Sequence, residues 1–218
     1  MAAVVEGPKI AALSCGKPAY VVVLLHGPGG DGAAIIDQAL NWAPTMPKAD
    51  FVAAEAPFPA AAGGRQWFDA TDLDPAGLKR ALETTGPLFD AFLDDMLAKC
   101  RLPDNHLALV GFSHGATLAL HVGLRRAKPL AAIVSFSGLF HGGENLAIGS
   151  RPPVLLIHGD ADPIAPIGGM MATREFLKGE GVPVKTMRRP GLGHAMDDDG
   201  VMAAGDFLTA NVVHRPAE

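Results

Sequence analysis

The sequence predicts an α/β protein: one doubly wound, mostly parallel sheet with helices on both faces. Three observations carry this. Short β-rich apolar runs alternate with longer segments of helical spacing, which is how parallel strands with crossover helices read in a sequence. The runs are apolar at successive positions, as strands covered on both faces require. With 49% apolar residues, 218 positions supply one well-buried core, so a single domain over residues 1–218 is expected.

Taken in order, residues 10–13 read as an antiparallel edge strand joined through the turn Gly16-Lys17-Pro18 to Tyr20–Leu25 (YVVVLL), a continuous β-branched and aliphatic run. Further strands are expected at 49–54, Leu107–Phe112, 130–136, 153–158 and 182–188. Helices are expected between them at 32–42, 75–101, 114–126, 164–179 and 198–212. Gly86-Pro87 should kink or divide the longest of these. Residues 57–67 (PFPAAAGGRQW) are rich in Pro, Gly and Ala and read as a surface excursion near a site.

Composition removes several function classes. The chain carries 18 Lys+Arg against 23 Asp+Glu, a formal charge of −5, and lacks the positive field that holds phosphate backbones. Nucleic acid is therefore not an expected partner. The two cysteines, Cys15 and Cys100, form neither a disulfide framework nor a CxxC pair. No HxH or HExxH pattern occurs, so neither a metal nor a cofactor is expected. No apolar run approaches the ~18 residues of a membrane span, and the first residues have no leader pattern. A cytoplasmic protein that does not span a membrane is the expectation, and whether it forms a homodimer is left open.

The chemistry begins at Gly111-Phe112-Ser113-His114-Gly115, where a strand runs directly into strong helix formers. A G-x-S-x-G pattern in this setting lifts a serine hydroxyl above the sheet at the N-terminus of a helix. Chance gives the bare pattern about 0.07 times in a chain of this glycine and serine content, so the strand before it and the helix after it are what make it specific. A serine needs a histidine to take its proton and a carboxylate to orient that histidine, following in the order Ser, acid, His at the ends of later strands. Two carboxylates, Asp160 and Asp162, compete in the loop after 153–158. Asp160 directly follows a glycine and suits turn stabilisation, whereas Asp162 lies deeper in the loop. His194 lies in the glycine-flanked loop before the last helix and is the candidate base. Of the other histidines, His26 and His158 each end a strand before glycine and read as hydrogen-bonded loop supports.

The run His26-Gly27-Pro28-Gly29-Gly30-Asp31-Gly32 has two readings. Gly27, Gly29 and Gly32 make a G-x-G-x-x-G, with Asp50 or Glu55 as a ribose ligand, which would mean dinucleotide binding. Alternatively, His-Gly at the strand end opens the loop that supplies a second oxyanion donor, the first being the N–H of His114. The second reading gives Ser113, Asp162 and His194 a common purpose.

These motifs, together with QWFD at Gln66, HGDADPIAP at His158 and GLGHAMDDDG at Gly191, resemble the phospholipase/carboxylesterase family of α/β-hydrolases, over roughly residues 19–211. The resemblance implies the α/β-hydrolase fold and hydrolysis of carboxylic esters or thioesters. It carries the nucleophile onto Ser113, the acid onto Asp162, in preference to Asp160, and the base onto His194, and puts Trp67 and Phe68 near the pocket. Two departures stand out. The family residue after His-Gly offers an N–H to the oxyanion, but here it is Pro28, which has none, so Gly29 is the expected replacement. Family members often carry glutamine where His114 stands. Trp67, Phe68, Leu139, Phe140, Ile164 and Met196 are the expected pocket residues, being in loops at the carboxyl ends of strands. The expected partner is a small ester or acyl compound. The rival reading is a hydrolase-like binding protein whose activity Pro28 has weakened or abolished.

Overall fold

In the computed structural model, which describes residues 2–69, 75–140 and 148–214, seven strands form one sheet. In chain order the strands are β1 (Val5–Ile10), β2 (Tyr20–Leu25), β3 (Ala49–Glu55), β6 (Leu107–Phe112), β7 (Ala132–Phe136), β8 (Val154–Gly159) and β9 (Val184–Arg189). The intervening β4 (Phe58–Pro59) and β5 (Arg65–Gln66) form a separate two-stranded hairpin. The sheet order is β1-β3-β2-β6-β7-β8-β9, with only β1 antiparallel to its neighbour. The helices are α1 (Gly32–Ile36), α2 (Pro75–Cys100), α3 (His114–Gly123), α4 (Ile167–Gly179) and α5 (Asp198–Leu208). This is the α/β-hydrolase fold.

Why the central strands read as unbroken apolar runs is clear from β2. Val21, Val23 and Leu25 point into a core shared with α2, α3 and α4, whereas Val22 and Leu24 point into a second core shared with α1 and α5. Side chains alternate between faces, and both faces are covered, so no position is free to be polar.

Three expectations are corrected. The edge strand lies at Val5–Ile10, not 10–13. Gly7-Pro8 looks like a turn, yet an edge strand tolerates proline, and the register shifts between Glu6 and Lys9 to accommodate it. Helix α2 runs unbroken from Pro75 to Cys100 with Pro87 inside. An interior proline costs ~3 kcal/mol, but Leu82, Phe89, Leu93 and Met96 bury the helix's apolar face on either side of it, which outweighs that cost. The helix expected at 32–42 is a short α1 followed by 3₁₀ turns over Asp37–Asn41. The surface excursion expected at 57–67 is largely exposed and carries the β4–β5 hairpin, which reaches the glycine turn after β2 through a Gly30–Arg65 bridge.

Candidate active site

Ser113 sits between β6 and α3 at φ +54°, ψ −119°, a conformation that costs a non-glycine residue ~1–3 kcal/mol. Two glycines make the turn sharp enough to hold it. A Cβ on Gly111 would lie 2.5 Å from the backbone of Ala116, and one on Gly115 would lie 2.5 Å from the Leu25 carbonyl oxygen. The helix can therefore pack directly against the strand ends, and Ser113 N–H is held by the Phe136 carbonyl at 2.9 Å.

His194 reaches Ser113 from the loop after β9, with Nε2 2.9 Å from Oγ. Its Nδ1 lies 2.7 Å from Asp162 Oδ2. A carboxylate only accepts, so Nδ1 carries the proton and Nε2 is left to accept from the serine. The Asp162 side chain is fully buried, and its other oxygen accepts from the N–H groups of Ile164 at 2.8 Å and Ala165 at 2.9 Å. Burial works to raise its pKa, but these N–H groups and His194 outweigh it and hold the carboxyl below the ordinary value. Beneath it, His158 Nε2 donates to the Ala165 carbonyl at 2.6 Å and lies 3.4 Å from Asp162 Oδ2. Asp160 instead pairs with Arg188 and accepts from Gly191 N–H at 2.7 Å, stapling the ends of the β8 and β9 loops.

His114 opens α3, so its N–H has no preceding helical turn to bond to. Its ring stacks on Phe68 with centroids 4.3 Å apart. Burial and the nearby His194 lower its pKa to about 4, so the imidazole is neutral near pH 7. Gly29 does not take over from Pro28 here: its N–H donates to the Arg65 carbonyl at 2.9 Å. The dinucleotide reading also finds no support. Glu55 accepts from Gly32 N–H at the start of the five-residue α1, and Asp50 is paired with Lys9.

The structure divides the six expected pocket residues. Phe68, Leu139 and Ile164 line a cavity of about 100 Å³ together with Ser113, Thr117 and Ser137. Met196 lines a larger cavity on the other side of His194. Trp67 and Phe140 lie inside the apolar core instead. Trp67 is fully buried, and its Nε1–H donates to the His26 carbonyl at 2.8 Å, while Phe140 packs on Phe176. Large aromatics near strand ends serve the core as readily as a pocket, and nothing in the sequence distinguished the two roles. The sequence reading also missed Phe112, whose ring centroid lies 5.0 Å from that of His194, and the buried Ser137, which has φ +50°.

The fold and this cluster place the chain among the α/β-hydrolases. Residues 9–212 match the phospholipase/carboxylesterase family, and the chain belongs to that family. It is similar to acyl-protein thioesterase 1 of Neurospora crassa, 27% identical over 96% of this chain and 94% of that protein. Esterase YpfH of Escherichia coli is 28% identical over 88% of this chain and 83% of its own length. Among solved structures, esterase PE8 superposes with a TM-score of 0.90 at 39% identity, covering 94% of this chain and 98% of that one.

Proposed function

We propose that the protein is a serine hydrolase that cleaves carboxylic esters or thioesters through an acyl-enzyme. The observation that carries this reading is the hydrogen-bonded chain Asp162–His194–Ser113, with contacts of 2.7 and 2.9 Å. Ser113 Oγ attacks the carbonyl carbon as His194 Nε2 takes its proton, and Asp162 stabilises the imidazolium that forms. The N–H of His114 faces the developing oxyanion at the positive end of α3. As the carbon–oxygen or carbon–sulfur bond breaks, His194 returns the proton to the leaving group. Water then attacks the acyl-serine with His194 as base, releasing the acid. Family membership and the thioesterase and esterase relatives support the same reaction class.

Nitrophenyl esters of graded acyl length test the reading. Hydrolysis should be strongest for short chains, since the cavity at Ser113 holds only about three water volumes, and it should be lost in Ser113→Ala. A binding protein with lost turnover is the second reading, favoured by Pro28 and by the engaged N–H of Gly29. It requires that wild type and Ser113→Ala hydrolyse these esters equally slowly.

A further inference from the structure

Two cavities flank His194, and they differ in what they touch. The cavity of about 100 Å³ includes Ser113 and His114 in its wall. The other, of about 380 Å³, is bounded by the Gly27–Gly30 turn, by α1 and by the His194 loop, and does not include Ser113. His194 belongs to both walls. The larger cavity lies next to the nucleophile, because its wall includes Phe112, the residue before Ser113, and Gly27, where a Cβ would lie 2.9 Å from the Phe112 ring and 3.5 Å from Ser113 Cβ.

The chemistry of acyl transfer assigns these two spaces. After attack, the acyl group stays bonded to Ser113 Oγ, so it must occupy space that Ser113 itself lines. The leaving oxygen departs with the electron pair of the broken bond and needs only the proton on His194 Nε2. The larger cavity offers contact with His194 alone. Resting on the acyl-enzyme reading above, we propose that it is the leaving-group subsite and that it takes an uncharged, largely apolar alcohol or thiol about the size of a substituted ring.

The wall supports that choice. Pro28, Ala34, Ile35, Phe112 and Met196 give it an apolar surface, and its volume falls in the usual ~300–1,000 Å³ of ligand pockets. His26, also in the wall, is held neutral: burial lowers its pKa, Nδ1–H donates to the Gly27 carbonyl at 2.7 Å, and Nε2 accepts from Ala56 N–H. The half-buried Gln38 carboxamide has no hydrogen-bond partner among the described residues, leaving one neutral polar group in the wall for a substituent on the ring. Pro28, the departure from the family pattern, is itself part of this surface and exchanges an N–H for apolar contact.

The test holds the acyl group constant and varies the alcohol. Acid release from ethyl acetate and from 2-phenylethyl acetate, whose alcohols have similar acidity, is measured for wild type and variants. Wild type should prefer the phenylethyl ester by about tenfold or more in kcat/KM, from burial of the ring. Ala34→Trp and Gln38→Trp each fill the cavity from α1 or the turns that follow it, and either should bring the preference close to unity. Met202, on α5 and 67% exposed, lies outside both cavities, so Met202→Ser should retain the preference. Equal rates for the two esters in wild type, or a preference unchanged in a folded tryptophan variant, would overturn the inference while leaving the acyl-enzyme reading standing. Absence of Ser113-dependent hydrolysis of both esters would overturn the two together.

Discussion

The N–H of Gly29 donates to the carbonyl of Arg65 across 2.9 Å, tying the glycine turn after β2 to the β4–β5 hairpin. The reverse bond, from Arg65 N–H to the Gly30 carbonyl at 2.9 Å, closes a small bridge. Gly64 makes the close approach possible, because a Cβ there would lie 2.2 Å from the Gly29 oxygen. An N–H spent in this bridge is not available to an oxyanion, and Pro28 has none to give. The acyl-enzyme reading proposed above then rests on the N–H of His114 as its backbone donor. One oxyanion donor is worth ~10²–10³ in rate. Pro28→Ala, at an exposed position that restores an N–H, should therefore raise kcat on nitrophenyl acetate by at least about tenfold. An unchanged kcat would show that the loop does not aim this N–H at the oxyanion.

Asp162→Asn should keep the fold and lower kcat by about 10⁴, because the amide favours the wrong imidazole tautomer of His194. KM should change much less, since Asp162 is buried behind His194 and is not part of either cavity wall. Steady-state kinetics on a short ester separate the two quantities. Asp160→Asn, which breaks only the ion pair with Arg188, should leave kcat within about twofold.

Much of this site was legible in the sequence for one reason: its residues sit where strands end. Ser113, Asp162 and His194 each follow a strand whose apolar run is unmistakable, and glycines punctuate each loop. The carboxylate choice is also visible afterwards in local chemistry. Asp160, beside Gly159, serves the turn, and Asp162 receives the N–H groups two and three residues ahead of it. What the sequence did not disclose depends on contacts distant in the chain. Gly29 pairs with Arg65 and Trp67 donates to His26, 36 and 41 positions apart, and no periodicity records such partners. Helix α2 continues across Pro87 because tertiary packing overrides local propensity.

Trp67 should behave as a support and not as a substrate contact. Trp67→Phe leaves the buried His26 carbonyl without its donor, at a cost of about 1–3 kcal/mol, with the loss of ring volume adding to it. Thermal unfolding should show a fall in Tm of several degrees. KM for short esters should stay within about threefold of wild type.

Acid should weaken the fold over a defined window. Burial, with Arg125 nearby, lowers the pKa of His121 to about 4, and burial likewise lowers that of His114 to about 4. Between pH 6.5 and 4 the unfolded chain binds more protons than the folded one, so this stability is fully present above 6.5 and is lost as pH falls towards 4. Asp162, with its depressed pKa, extends the loss to lower pH. Urea midpoints should fall across this range, and His121→Gln should make the fall shallower. A midpoint independent of pH between 6.5 and 4 would contradict the assignment.

The most direct measurement is the intact mass of the protein after treatment with a fluorophosphonate, followed by peptide mapping. A single adduct on Ser113 in wild type, absent in Ser113→Ala and strongly slowed in His194→Ala, is the expected result. Folded wild-type protein that remains unlabelled, or an adduct on any other residue, would contradict an activated serine at this site.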